Sequence, residues 1–200
     1  MKKNIFSILA LATVGLVAFS FITELPIGAD MPKADVKMKD ISGKEISLKD
    51  AAKKNGLLVM FSCNTCPYVI KNQGRTTEVG NYALTKEIGF ILVNANEGNR
   101  SGADSYAEMQ QYAKKQGYKW DYVVDENSVL ADAFGAKRTP ECYLFNSEGK
   151  LVYHGAIDDN PTDESAVNRK HLKDAMDQLL KGEEISVKTS RSVGCGIKRL

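Results

Sequence analysis

Short apolar runs and longer patterned stretches alternate along most of this chain. Leu57-Leu58-Val59-Met60-Phe61 is apolar at every position, and Phe90-Ile91-Leu92-Val93 repeats the pattern before Asn94. Runs of this length and composition predict central strands covered on both faces. Residues 36–39 and 45–48 alternate around the turn Ser42-Gly43-Lys44, which predicts a short hairpin. Helical stretches are expected over 48–54, over 67–88 with a break near Gly74, over 104–116 before Gly117, and from Asp125 to about Phe134. Strands are expected at 120–124, 141–145 and 150–155. A final helix is expected over 163–181, where Leu172, Ala175, Met176, Leu179 and Leu180 recur at spacings of three and four. Strands alternating with helices predict an α/β fold: a central mixed sheet, helices on both faces, and an N-terminal β-hairpin.

The first 29 residues follow a different rule. Met1-Lys2-Lys3 is basic, and 5–22 carries no charged residue. This is the pattern of an export signal, with small-residue cleavage points after Ser20 and after Ala29. The apolar run is also near the length of a membrane span, so an uncleaved anchor is the alternative. Both readings place the remainder outside the cytoplasm, in the periplasm or tethered to the outer face of the inner membrane, where disulfides persist. Residues 24–35, with Pro26 and Pro32, read as a tether. The expected organisation is a leader or anchor over 1–29, a domain over 30–183, and a polar, basic and flexible tail over 184–200.

Charge excludes one class of partner. With 27 basic and 25 acidic residues the net charge is +2, and no basic stripe interleaved with aromatics is present, so nucleic acid is not an expected ligand.

The candidate chemistry lies in four cysteines. Cys63 and Cys66 are separated by Asn64-Thr65 and sit between the 57–61 strand and a helix start. A thiolate at a helix N-terminus is stabilised by unpaired N–H groups. The spacing allows stepwise exchange, in which one thiolate attacks a partner's disulfide and the second cysteine resolves the mixed disulfide. Half of a zinc site is the competing reading. It needs a second pair of ligands, and neither Cys142 and Cys195 nor His154 and His171 supplies one at ligand spacing. Both histidines read as structural or exposed. Thr139-Pro140, after a helix and before a hairpin, is the second signal.

These features together resemble the thioredoxin-like superfamily, and within it the redoxin group of alkyl hydroperoxide reductase/thiol-specific antioxidant proteins and exported thiol–disulfide oxidoreductases. The resemblance spans about 35–181. It is carried by the hairpin, 57–67, 90–94, Val123-Val124-Asp125-Glu126, Ala133-Phe134-Gly135-Ala136, Arg138-Thr139-Pro140-Glu141 and 149–155. The chain is most similar to exported proteins that share Cys-x-x-Cys-Pro-Tyr-Val and a Gly-Cys-x-Ile-Lys tail, here 194–198.

The resemblance implies a three-layer sandwich, Cys63 as nucleophile and Cys66 as resolver. It also implies a cis Pro140 against the pair, with the Thr139 backbone as a substrate-docking edge. Tyr68 is expected beside the pair, as core packing or as a substrate contact. Protein thiols or disulfides and an upstream thiol reductant are the expected partners, with no bound cofactor. Two departures narrow this. The strand before the motif lacks the buried carboxylate of thioredoxin, for which Glu78 is the candidate substitute. The peroxidase signature Pro-x-x-x-Thr-x-x-Cys finds Gly56 and Met60 at its Pro and Thr positions.

A thiol peroxidase is therefore the weaker reading. A copper metallochaperone using the Cys pair and His154 is a further alternative, and a redox-inert binding module another. Cys142 reads as a buried thiol or an auxiliary redox residue. Cys195, between Gly194 and Gly196, is expected to dock near the active pair or to pair with Cys142.

Overall fold

A computed structural model describes residues 23–200. Residues 1–22 of the expected leader or anchor, with the cleavage point after Ser20, lie outside the described residues, whereas 23–29 and the point after Ala29 lie within them. The 57–61 run forms β3 (Leu57–Phe61), and all five of its side chains are buried. The two faces of this strand lead to two different cores, which is why no polar position interrupts the run. Leu58 and Met60 point into one core, Leu57, Val59 and Phe61 into the other.

β3 is the middle strand of a five-stranded sheet of order β5-β4-β3-β7-β8. It pairs in parallel with β4 (Gly89–Asn94), which pairs in parallel with β5 (Asp121–Val124). On its other side β3 runs antiparallel to β7 (Glu141–Phe145), which forms a hairpin with β8 (Leu151–Gly155). One core lies beneath α3 (Gln73–Thr85), α4 (Tyr106–Gln116) and α6 (His171–Lys181). The other lies beneath α1 (Leu48–Ala51) and α5 (Val129–Phe134). The expected mixed sheet with helices on both faces is therefore present.

Both edges of the sheet are covered, which removes free strand edges that would template association. The hairpin of β1 (Met38–Lys39) and β2 (Glu45–Ile46) caps β5: Ile41 N–H donates to Tyr122 O at 3.1 Å. At the β8 edge, Gly28 N–H donates to Leu151 O at 2.8 Å and His154 N–H to Lys188 O at 2.9 Å. The segment read as a tether is thus docked, with Leu25, Ile27 and Met31 packed on the second core.

Several boundaries differ from expectation. The helix after the Cys pair divides into α2 (Pro67–Lys71) and α3 at Asn72, not at Gly74. Asn72 Nδ2 donates across the fold to Pro161 O at 3.0 Å. The last helix begins at His171 rather than at 163. Residues 164–166 form one 3₁₀ turn capped by Asp163, and the apolar spacing starts only at Leu172. The 184–200 tail is not flexible: Ile185 and Ile197 are buried, one in each core, and β9 (Cys195–Gly196) pairs antiparallel with β6 (Arg138–Thr139).

Candidate active site

β3 ends pointing into the Cys pair. Ser62 N–H still bonds to Val93 O at 2.9 Å, and the chain then leaves the sheet through Cys63-Asn64-Thr65. Cys66 is the N-cap of α2 and Pro67 its first helical residue, where a missing N–H costs nothing. Cys63 is 1% exposed and Cys66 3% exposed. Both meet Thr139. Cys63 Sγ lies 3.4 Å from Thr139 Oγ1, and Cys66 Sγ lies 3.2 Å from Thr139 O. The Thr139–Pro140 peptide is cis, as the resemblance implies.

Tyr68 and Cys195 pack on a small cluster made by Cys63, Cys66 and Val69. The structure therefore brings Cys63, Cys66, Tyr68, Thr139 and Cys195 together. Cys142 stands apart. It points into the core beneath α3 and α6 with Leu58 and Met60, fully buried, and burial pushes its thiol well up. Of the two alternatives for Cys195, docking at the active pair is the one realised. All four cysteines are free thiols here.

The charge of the reduced pair is asymmetric. The Cys63 thiol donates to a Cys66 thiolate, which lowers Cys66. Burial opposes this, while the Cys195 thiol and the backbone N–H groups of Val69 and Cys195 reinforce it. Cys63 is raised by that same bond, by burial and by the nearby charge of Asp104, and the Thr139 hydroxyl offsets only part. The two thiols titrate as one coupled system, in which these contacts favour the charge on Cys66 over Cys63. Cys195 is pushed up to about 11, first by burial and then by the neighbouring Cys66 charge.

Glu78 does not substitute for the missing carboxylate; it lies on α3 in a half-exposed ion pair with Lys170 at 2.9 Å. A buried carboxylate that does reach the Cys63–Cys66 loop is Asp104, from the loop after β4. It accepts the Asn64 N–H and Asn94 Nδ2 on one oxygen, both at 2.9 Å, and Asn96 Nδ2 on the other at 3.0 Å. Asn64 is further held by Tyr122 Oη–H at 2.9 Å and by its own Nδ2–H to Ala103 O. Asp104 is hard to read from the sequence because the donor that ties it to the Cys63–Cys66 loop, Asn64, lies 40 residues away. The dense Asn94, Asn96, Asn99, Asp104 run was the available signal.

A second unanticipated residue, Glu141, fixes the other wall. One of its carboxylate oxygens accepts the N–H groups of Lys137 and Arg138, and the other bonds His154 Nε2 at 2.8 Å. Burial would raise this carboxyl, but those three donors outweigh it and hold it below the ordinary range. His154 also stacks on Tyr143 at 4.3 Å, so its ring is engaged away from the thiols. Among the described residues no group of three His, Cys, Asp or Glu side chains is placed to hold a metal ion.

Beyond Pro140 lies a groove of about 260 Å³, lined by Asn72, Ile157, Asp158, His171 and Val193 among others.

The comparisons with known proteins agree with this arrangement. No curated protein sequence matches the chain. An uncharacterised conserved protein of Geobacillus kaustophilus is 30% identical with a TM-score of 0.81, covering 88% of this chain and 93% of that one. A hypothetical protein of Sinorhizobium meliloti is 26% identical, also at 0.81, covering 89% and 97%. A Chlorobium tepidum protein named as a thiol:disulfide interchange protein, DsbE, shares the fold at a TM-score of 0.62 and 13% identity, covering 78% and 99%. The thioredoxin-like architecture, with a vicinal thiol pair facing a cis-proline edge, is accompanied by a match to the Redoxin family model over residues 26–170, and the chain belongs to the Redoxin family.

Proposed function

We propose that the protein is an exported thiol–disulfide oxidoreductase that exchanges disulfides with protein partners through Cys63 and Cys66. The observation that carries this is the pair of buried sulfurs at the start of α2, both held against Thr139. The lowered Cys66 thiol favours a thiolate within the pair, and the second sulfur stands within reach to complete the exchange. In the reductive direction, a thiolate attacks a partner disulfide and expels the partner's first thiolate. The remaining active-site thiol, deprotonated by that leaving group, displaces the second. The partner leaves as a dithiol and Cys63–Cys66 remains as a disulfide. An upstream thiol reductant restores it in two electrons.

Asp104 and Glu141 act by position. The first fixes the Asn64 loop, and the second fixes the Lys137-Arg138 turn that leads to Thr139. Tyr68 and exposed Ile70 offer an apolar surface beside the pair, and the groove beyond Pro140 offers room for a partner side chain.

Trapping tests the reading. Cys66→Ser leaves the pair unable to close its own disulfide and should accumulate mixed disulfides in the native compartment, identified by mass spectrometry. The parent protein should also reduce insulin and leave peroxide unconsumed. Absence of any mixed disulfide together with rapid peroxide turnover would favour a peroxidase instead.

Export itself rests on the basic start and the uncharged 5–22 stretch. Of the two cleavage points, Ser20 is the one compatible with the packed segment. Cleavage after Ala29 would discard the packed Leu25 and Ile27 and the backbone bonds of Leu25 to Phe134 and of Gly28 to Leu151. The intact mass of the mature protein checks this directly.

A further inference from the structure

The edge at Thr139, where a partner strand was expected to dock, is already occupied. β9 lies on it in antiparallel register, Arg138 opposite Gly196 and Thr139 opposite Cys195. The approach is so close that a Cβ on Gly194 would fall 2.1 Å from Thr139 O, so only glycine fits there. The occupant is fastened on both sides. Before it, Ser190 N–H donates to His154 O at 3.0 Å and Ile185 is buried. After it, Ile197 N–H donates to Lys137 O at 3.0 Å, and Lys198 N–H to Asn96 Oδ1 at 2.9 Å. Asn96 is also a donor to Asp104, so the tail and the Cys63–Cys66 loop share one polar network. A segment anchored at both ends in this way is part of the site, not a flap across it.

Its placement settles which sulfur meets the outside. Cys63 and Cys66 are almost wholly buried, whereas Cys195 is only partly covered. Cys195 packs on the cluster made by Cys63, Cys66 and Val69, and β9 sets it opposite Thr139, the residue that both sulfurs of the pair touch.

We propose that Cys195 is a third catalytic thiol, the outer member of a three-sulfur relay in which Cys66 is the shared centre. The proposal rests on the oxidoreductase reading above and adds the route by which a partner reaches the buried pair. The Cys66 thiolate takes the proton of Cys195. Cys195 attacks a partner disulfide, forming a Cys195–partner bond and expelling the partner's first thiolate, which takes the proton back from Cys66. Cys66 then attacks Cys195 Sγ, forming Cys66–Cys195 and releasing the partner's second thiolate, which is protonated at the expense of Cys63. Cys63 attacks Cys66 Sγ, leaving a Cys63–Cys66 disulfide and a Cys195 thiolate. The partner gains two electrons and two protons and the protein loses them, so the sum is that of ordinary dithiol exchange. The upstream thiol reductant reverses the oxidation.

Linked-peptide mass spectrometry tests the relay. Cys63→Ser, oxidised with glutathione disulfide, should yield a Cys66–Cys195 disulfide. Cys66→Ser, presented with a disulfide-bonded protein such as insulin, should hold the mixed disulfide on Cys195. Cys195→Ser should still close Cys63–Cys66 with a small oxidant yet reduce insulin more slowly by about tenfold or more. Cys195→Ala, with unchanged circular dichroism, guards against a folding defect. Free Cys66 and Cys195 in oxidised Cys63→Ser would overturn the relay, as would trapping on Cys63 alone with undiminished insulin reduction by Cys195→Ser. Those results would leave the Cys63/Cys66 exchange reading standing. A parent protein inert toward insulin would remove that reading, while the Cys66–Cys195 link in Cys63→Ser would still be decided.

Discussion

At the scale of single residues, the site is controlled by what each buried charge touches. Asp104 is fully buried and its donors include Asn64, Asn94 and Asn96. Asp104→Asn turns part of that acceptor into a donor facing other donors, and should cost about 1–3 kcal/mol in urea unfolding. The same change removes the negative charge that disfavours a Cys63 thiolate, so alkylation of Cys63 should set in at lower pH than in the parent. An unchanged alkylation profile would show that Asp104 acts only through structure. The Cys66 thiolate makes stability pH-dependent. An unfolded thiol titrates near 9.0, and folded Cys66 lies below that. Between the lowered value and 9.0 the unfolded chain binds the extra proton, so stability rises with pH there. The contribution is lost as pH falls through the folded value. Above that window the sign reverses, because Cys63 and Cys195 keep protons that the unfolded chain releases. The reduced parent should therefore gain stability faster than Cys66→Ser between about pH 5 and 8, by at most about 1.4 kcal/mol per pH unit. Equal slopes would take the charge away from Cys66.

At the scale of elements, legibility in the sequence follows how a segment is buried. β3 and β4 are legible because both faces are covered, which demands apolar residues at every step. α6 is legible from Leu172 onward, where one face is buried, and misread before it, where Asp159, Asn160 and Asp163 organise the backbone through local bonds that carry no period. β9 is only two residues long, and its place is set by Thr139 and by a glycine contact rather than by any pattern of its own. The Cys pair and Thr139-Pro140 are legible from spacing and context; Asp104 and Glu141 are not, because what makes each part of the site is a contact only the fold creates, Asn64 N–H for Asp104 and the backbone turn and His154 ring for Glu141. Long-range polar contacts also join elements. Arg75 of α3 bonds Asp158 at 2.7 Å, with both side chains about 95% buried, and ties the helix behind the Cys pair to the loop after β8. Removing one partner leaves the other charge buried and unpaired. Arg75→Ala should lower the unfolding free energy by about 3–5 kcal/mol, and the double variant Arg75→Leu, Asp158→Leu should recover much of that. No recovery would mean that the arginine's packing, not its charge, is what α3 needs.

At the scale of the whole molecule, both ends of the described chain are fastened to the same sheet. Residues 24–31 run along β8 near Leu151, and residues 185–190 run along the same strand near His154 before the tail crosses to the Cys pair. The redox site is thus built from three distant stretches: the 57–67 strand and turn, the 137–141 turn, and the last ten residues. A chain ending at Glu184 tests how far the last stretch shapes the site. It loses two buried isoleucines, Ile185 and Ile197, and the β6–β9 pairing, so a lower melting temperature is expected. Burial of one such side chain is worth roughly 1.5–3 kcal/mol, so the domain should be weakened measurably in denaturant. The informative readout is chemical. With the tail gone, nothing from β9 covers Cys63 and Cys66, and their alkylation in the folded, reduced protein should accelerate roughly tenfold or more, because no local opening is then needed to expose them. The same truncation removes Cys195, so faster alkylation should coincide with slower reduction of a protein disulfide. Faster alkylation together with faster reduction would identify the tail as a cover over the pair, whereas the opposite movement of the two rates is what a resident third thiol requires.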